Sequence, residues 1–284
     1  MSEDIHFDPY RPDEMAERVE KVGVAKARLG FLDLSALGFL AGAFIAFGAQ
    51  FFTFVTHDSP FGFGLTMFIG GAAFSLGLVL VVIAGAELFT GNNLMAMAYA
   101  SRCITLRELL RNWVIVYFAN FLGAIAMVLW IYATQQWAFN DYGVGARALL
   151  IANAKVNLTL LQALVRGTMA NTLVALAVWL TFAGRSVTDK ILAIIFPITA
   201  FVASGFEHSI ANMYFVPFGI LLKSSPQVVE VATRVAGGTL DLANLTWPTF
   251  VIRNLIPVTI GNILGGSVLV GVVYWFVYLR GENC

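Results

Sequence analysis

The sequence predicts an all-α membrane protein whose six transmembrane helices form two inverted sets of three, with helices 2 and 5 broken. The 284 residues are 59% hydrophobic and only 12% charged, whereas a soluble domain is about one quarter charged. Six apolar stretches are each long enough to cross a bilayer, which takes about 20 residues. A Gly-x-Glu-x-x-x-x-Asn pattern also occurs twice, once in each half of the chain.

The apolar stretches define the predicted spans, and two of these differ from the rest. The second and the fifth are too long for one simple helix, and each contains a glycine close to a charged residue. We therefore expect irregular backbone near 86–92 and 204–209, which a membrane tolerates only where it packs in protein or lines a cavity. The six predicted spans cover approximately residues 32–55, 66–100, 110–136, 158–182, 189–222 and 249–279.

The repeated pattern indicates an internal duplication. Its glutamates, Glu87 and Glu207, are the only ones inside long apolar runs. Each half, about 31–136 and 158–279, contains three spans, and an odd number of spans forces the second half to insert upside down. Further members match in the same order: Asn92 with Asn212, Asn120-Phe-Leu-Gly123 with Asn262-Ile-Leu-Gly265, and Gly42 with Gly167.

The distribution of positive charge predicts the orientation. Most lysines and arginines outside the apolar stretches lie on one side of the predicted spans. By the positive-inside rule this side is cytoplasmic, so both chain termini are predicted to be in the cytoplasm. Residues 1–30 then form a cytoplasmic segment that precedes a membrane domain at 31–280.

The N-terminal segment contains a predicted amphipathic helix over residues 12–29. Met15, Val19, Val22 and Lys26 follow helical spacing along one stripe, and charged residues lie outside it. Such a helix would serve as an interfacial anchor. The alternative is a mobile plug or docking element beneath a pore.

The two intramembrane glutamates invite two interpretations. Insertion of a carboxylate at membrane depth costs about 2.5 kcal/mol or more on insertion scales, so we expect each glutamate to have a functional or a structural role. Glu87 and Glu207 could relay protons, or they could accept hydrogen bonds from backbone N–H groups that a helix break leaves free. Their symmetric positions favour the structural role, which we extend to Asn92 and Asn212.

Chemistry is expected where the two copies differ. His208 is the only histidine within an apolar run, and the repeat aligns it with Leu88. An imidazole titrates close to neutrality, and nearby Thr90 offers a hydroxyl donor to a small anion. Lys155 stands just before the fourth span, where it either draws anions toward a mouth or snorkels to the interface.

The sequence argues against several other functions. It contains no Walker loop, HExxH or GxSxG motif, and its cysteines and histidines lack metal-site spacing, so we expect no enzyme activity, cofactor or metal. A net charge of zero at pH 7 indicates no nucleic-acid surface. Two rivals remain open: an intramembrane enzyme that uses Glu207, His208 and Ser209, and a purely structural membrane subunit.

The chain resembles the formate/nitrite transporter family, and within it the bacterial formate channels. The segments that carry the resemblance are GAELFTGNN, WVIVYFANFLGA, GRSVTDK, FVASGFEHSIANM and LIPVTIGNILGG. The resemblance implies an aquaporin-like bundle of six spans and a homopentamer with one pore per protomer. One departure is Glu87, where the family's formate channels carry aspartate.

The resemblance also implies roles for individual residues. Leu88, Phe89 and Thr90 form the loop that interrupts span 2, and His208 faces this loop across the pore. The remaining implied pore residues are Phe74 and Phe201 at an outer constriction, Leu78, Val174 and Asn262 at an inner one, and Lys155 and Asn171 near the outer vestibule.

The implied function is passive, pH-modulated movement of formate and similar small monovalent anions, with protons involved, across the bacterial inner membrane. Nitrite or hydrosulfide is the alternative substrate within the same family. A formate-producing cytoplasmic enzyme is the implied partner of the N-terminal helix.

Overall fold

Every regular element in the described part of this computed structural model, residues 8–281, is helical. Residues 1–7 of the predicted N-terminal segment and residues 282–284 at the C-terminal end lie outside the described residues. The elements are α1 (Pro12–Ala27), α2 (Phe31–Thr56), α3 (Phe63–Ala84), α4 (Phe89–Asn92), α5 (Ala96–Ala100), α6 (Leu106–Ala133), α7 (Gly143–Val156), α8 (Leu160–Thr181), α9 (Val187–Ala203), α10 (Ser209–Leu222), α11 (Pro226–Val235) and α12 (Trp247–Tyr278).

Five of the described helices are long and apolar enough to cross a membrane: α2, α3, α6, α8 and α12. Their outward faces expose large apolar side chains such as Phe47, Phe118 and Leu269. An apolar surface of this extent is typical of contact with lipid rather than with water. The chain is therefore a multi-pass membrane protein. Helix α10 is apolar but shorter, so the count of six spans remains a prediction.

Helix α1 matches the amphipathic helix predicted over residues 12–29. Proline suits its first turn because the missing N–H would have no partner there. Met15 and Val19 are buried against the ends of α8 and α12, as the stripe predicts. Val22 is 37% exposed, so the apolar stripe is shorter than expected. Lys26 is held inside the protein.

Glycines allow neighbouring helices of each half to pack backbone against backbone. A Cβ atom on Gly42 of α2 would lie 2.0 Å from the carbonyl oxygen of Asn120 on α6. A Cβ atom on Gly265 of α12 would lie 2.1 Å from the carbonyl oxygen of Thr168 on α8. This close approach thus occurs once in each half, between α2 and α6 and between α8 and α12.

The helices of the predicted second and fifth spans both stop inside the protein. Helix α3 ends at Gly85, with φ of 79°, and helix α9 is followed by Gly205, with φ of 67°. These left-handed conformations favour glycine. Residues 85–88, the first break, and residues 205–208, the second break, separate these helices from α4 and α10. The first irregular stretch is shorter than the expected 86–92 because Phe89 already begins a helix.

Candidate functional site

The first break is built around the carboxylate of Glu87. Its Oε1 accepts a hydrogen bond from Lys26 Nζ at 2.6 Å, and its Oε2 accepts one from Asn92 Nδ2 at 2.7 Å. Asn92 Nδ2 also donates to Asn112 Oδ1 at 2.8 Å, and Asn112 Nδ2 donates to the Lys26 carbonyl oxygen at 3.2 Å. The buried charge of Glu87 is therefore paired and fully hydrogen-bonded, as burial requires.

The second break repeats this arrangement around Glu207. Its Oε1 accepts a hydrogen bond from Lys155 Nζ at 3.0 Å, and its Oε2 accepts bonds from Asn212 Nδ2 at 2.7 Å and Asn254 Nδ2 at 3.3 Å. Asn254 Nδ2 also donates to the Lys155 carbonyl oxygen at 3.0 Å. Lys155 is thus ion-paired with Glu207 and only 13% exposed, which argues against a snorkelling side chain, while attraction of anions stays a prediction.

Asn120 clamps the backbone of the first break. Its Oδ1 accepts the Phe89 N–H at 3.0 Å, and its Nδ2 donates to the carbonyl oxygens of Gly38 at 2.7 Å and Glu87 at 2.9 Å. The clamp satisfies backbone groups that no helix satisfies, which the membrane interior requires.

Asn262 clamps the second break in the same way. Its Oδ1 accepts the Ser209 N–H at 2.9 Å, and its Nδ2 donates to the carbonyl oxygens of Gly167 at 2.8 Å and Glu207 at 3.0 Å. The side-chain amide of Asn262 thus bonds only to backbone groups.

The repeat was expected to align Gly167 with Gly42. The bond from Asn262 to Gly167 is equivalent to the bond from Asn120 to Gly38, so Gly167 aligns with Gly38 and the expectation was wrong.

Thr90 and His208 meet where the two breaks face each other. Thr90 Oγ1 lies 2.9 Å from His208 Nε2, and both side chains are buried. His208 Nδ1 accepts the N–H of Ala211 at 3.1 Å and so caps α10. The neutral ring therefore carries its hydrogen on Nε2, which donates to Thr90. The hydroxyl hydrogen of Thr90 remains free for another acceptor.

Two cavities reach the two breaks, one at His208 and the other at Leu88, the residue that the repeat aligns with it. One, the Lys155-side cavity, has a volume of about 280 Å³ and is lined by Phe74, Phe201 and His208 as well as Lys155. The rings of Phe74 and Phe201 meet edge to face, 5.5 Å between centroids.

The other, the α1-side cavity, has a volume of about 370 Å³. Lys26, Leu78, Glu87 and Leu88 line it. Leu78 and Leu88 are buried. Each cavity thus combines a lysine–glutamate pair with mostly apolar walls.

Five of the predicted pore residues line neither cavity: Thr90, Phe89, Val174, Asn171 and Asn262. Val174 is buried. Phe89 packs its ring against Tyr117, with 4.9 Å between centroids. Asn171 is fully buried, and its Nδ2 donates to the carbonyl oxygens of Thr90 and Asn262 at 3.3 and 2.7 Å. It therefore fastens α4 to α8 and α12.

Sequence reasoning missed three members of the two networks. Asn112 and Asn254 each follow an arginine and precede the clamp asparagine by the same interval, so the repeat could have revealed them. Lys26 and Lys155 likewise precede Gly38 and Gly167 by equal intervals. The sequence analysis placed Lys26 on the stripe of α1 but did not connect it with Glu87.

The structure does not assemble an enzyme from Glu207, His208 and Ser209. Glu207 bonds to lysine and asparagine and His208 bonds to Thr90, while Ser209 Oγ has no hydrogen-bond partner among the described residues. No hydrogen bond joins these side chains into the relay that a catalytic triad needs. Nor does the described part of the chain bring three His, Cys, Asp or Glu side chains together as a metal site.

A family model described as formate/nitrite transporter matches residues 13–276, nearly the whole chain. The chain belongs to the formate/nitrite transporter family. It is 42% identical over 286 aligned residues to the formate channel FocA of Escherichia coli strain K12, covering 100% of this chain and 99% of that one.

Two solved structures have the same fold. A pentameric formate channel with formate bound is 44% identical, with a TM-score of 0.79 over 88% of this chain and 98% of the other. An FNT family ion channel is 26% identical, with a TM-score of 0.77 over 93% of this chain and 98% of the other. The chain therefore shares its fold with solved structures of channels of this family.

Proposed function

We propose that the protein is a passive, pH-modulated channel for formate and similar small monovalent anions in the bacterial inner membrane. Each protomer has six spans, of which the second (α3 to α5) and the fifth (α9 and α10) are broken. Five protomers assemble, each with its own pore. The name of the Escherichia coli relative and the formate-bound pentamer support this proposal.

The proposed path runs from one cavity to the other past the Thr90–His208 contact. Leu78 and Leu88 narrow it on the α1 side, and Phe74 and Phe201 narrow it on the Lys155 side. Asn262, Asn171 and Val174 shape the frame around it. Both repeats extend beyond the boundaries expected from the sequence, because α1 and α7 contribute the equivalent lysines Lys26 and Lys155.

The 2.9 Å contact between Thr90 Oγ1 and His208 Nε2 carries the proposal. An ionised carboxylate pays heavily to leave water, and at this contact the free hydroxyl hydrogen of Thr90 and the Nε2–H of His208 both become donors to it. Glu207 acts through the second break, which it holds in shape so that His208 faces Thr90.

A proton provides a second way across the apolar rings. Formate that picks up a proton crosses as the neutral acid, so acid conditions favour import of the acid over channel-like export. His208 supplies the positive charge or the proton at the midpoint of the proposed path. Protonation of Nδ1 would break the cap to the Ala211 N–H, so the histidine couples its charge to the geometry of α10.

The orientation follows from the basic residues. With both termini in the cytoplasm, the α1-side cavity opens to the cytoplasm and the Lys155-side cavity to the outside. The exposed charged face of α1, which includes Glu17, Arg18 and Lys21, is the proposed docking surface for a cytoplasmic formate-producing enzyme.

The test is formate flux into proteoliposomes for wild type and His208→Phe between pH 5 and pH 8. We expect the wild-type flux to change with pH and the variant to lose this dependence, because phenylalanine keeps the ring but cannot hold a proton. An unchanged profile would eliminate His208 as the titrating group. Competition by nitrite, hydrosulfide and acetate in the same assay separates formate from the alternative substrates.

A further inference from the structure

The two cavities differ sharply in charge. Three cationic side chains, Arg147, Lys155 and Arg166, line the Lys155-side cavity together with one carboxylate, Glu207. The α1-side cavity is lined by one lysine and one glutamate, which pair with each other. One chamber is therefore strongly positive and the other is neutral.

Neither arginine has an anionic partner. Lys155 already pairs with Glu207, and within residues 8–281 no ion pair uses Arg147 or Arg166. The Nε of Arg147 donates to Thr56 Oγ1 at 3.1 Å, and an Nη of Arg166 lies 3.5 Å from the Gly205 carbonyl oxygen. Burial lowers the pKa of Arg147. Arg147 also lies over the ring of Phe52, at 5.9 Å, and the other guanidinium N–H groups of both side chains have no hydrogen-bond partner within residues 8–281.

The repeat shows that the scaffold does not need the charge of Arg166, and that an arginine at the place of Arg147 need not face a cavity. The carbonyl oxygen of Arg166 accepts the Glu207 N–H at 3.3 Å, and the carbonyl oxygen of Leu37 accepts the Glu87 N–H at 3.2 Å. Leucine thus fills the equivalent place in the α1-side cavity. The position equivalent to Arg147, counted from the paired lysines, is Arg18, which lies outside the α1-side cavity and stacks on Tyr10 at 3.5 Å.

We propose that Arg147 and Arg166 form an anion-binding site that holds a small carboxylate in the Lys155-side cavity before it reaches His208. The planar guanidinium group presents paired donors that match a carboxylate. Uncompensated positive charge inside an apolar-walled cleft also raises the local concentration of anions. This site rests on the proposed function in one respect: the small carboxylate that it binds is the anion that permeates.

The first experiment measures formate permeability in proteoliposomes, at formate concentrations well below saturation, from low to high ionic strength. We expect the Arg147→Gln/Arg166→Leu variant to be about tenfold less permeable than wild type at low ionic strength. The difference should disappear at high ionic strength because salt screens the charges. Arg234→Gln, which removes an exposed arginine paired with Glu230, is the matched control and should behave as wild type.

Two further measurements guard this result against misfolding. The charge-preserving variant Arg147→Lys/Arg166→Lys should retain most of the low-salt permeability. All variants should elute at the wild-type oligomer size. A double variant with wild-type permeability and wild-type salt dependence would overturn the proposal.

The second experiment detects the site without transport. Purified protein is treated with phenylglyoxal, which modifies arginine, and the modified positions are read by mass spectrometry. Sodium formate should slow modification of Arg147 and Arg166 but not of Arg234, whereas sodium gluconate at equal ionic strength should protect none of them. Absence of protection by formate would refute the site. Protection in a protein without formate flux would refute the proposed function and leave the site standing.

Discussion

The two breaks share one framework and differ at the positions that face each other. Each holds a buried glutamate with a lysine and two asparagines, and each is clamped by a further asparagine. Leu88 and Thr90 of the first half correspond to His208 and Ile210 of the second. The polar contact at the centre therefore takes one residue from each half. The duplication sets the geometry, and the departures from it set the chemistry.

The ion pairs that hold the breaks are also unequal. Lys26 bonds to both Glu87 and Asn92, and its side chain is 25% exposed. Lys155 bonds only to Glu207 and is 13% exposed, and Asn212 Oδ1 has no partner among the described residues. The second ion pair is therefore the more deeply buried of the two, although Glu207 also accepts a hydrogen bond from Asn254.

The largest expected effect is the loss of Lys155. Lys155→Met leaves Glu207 as a buried, uncompensated charge, which costs about 3–5 kcal/mol of stability. Lys26→Met should cost less, because Glu87 is closer to solvent. Thermal unfolding of the purified oligomer measures both variants against wild type.

The control for this prediction removes both charges of one pair. Lys155→Met/Glu207→Leu should recover most of the lost stability, because apolar residues of similar volume replace a buried ion pair at little cost. Equal losses in the two lysine variants would show that the breaks are energetically equivalent, against the comparison drawn from their exposure.

A smaller effect is expected from the hydroxyl that distinguishes the first break. Thr90→Val keeps the shape but removes a donor to the permeating anion, and a hydrogen bond to a charged group contributes about 1.5–3 kcal/mol. Formate permeability at pH 7 should fall by roughly 10- to 100-fold. Ser209→Ala removes a neighbouring buried hydroxyl that has no partner within the described chain and should leave permeability unchanged. If both variants lost flux equally, the central contact would have no special role.

The smallest effect concerns the capping boxes that begin α6 and α9, one in each half. The Glu108 carboxylate accepts the Thr105 N–H at 2.7 Å, and the Asp189 carboxylate accepts the Ser186 N–H at 2.9 Å. An ionised carboxylate accepts these bonds more strongly than a protonated one, so their contribution to stability is lost as the carboxyl groups are protonated. Asp189→Asn should therefore lower the unfolding temperature slightly at pH 7, and the difference should shrink as the pH falls below about 4. A difference that persisted in acid would exclude the ionised carboxylate as its source.

Local patterns predicted much of the fold and part of the site. Helix α1, the long apolar helices and the left-handed glycines follow from periodicity, composition and backbone freedom. The central pair, Thr90 and His208, was also named from the sequence, because the two copies differ there. The sequence did not single out Arg147 and Arg166, because nothing in their local sequence shows that they line one cavity.

The sequence by itself determined that Glu87 and Glu207 must be satisfied inside the protein, because a bare carboxylate in an apolar run is too costly. Only the tertiary structure decided by which groups. Lys26 lies 61 residues from Glu87, and Lys155 lies 52 residues from Glu207. Thr90 meets His208 across 118 residues. Such contacts depend on how helices far apart in the chain pack together, and no local periodicity records that packing.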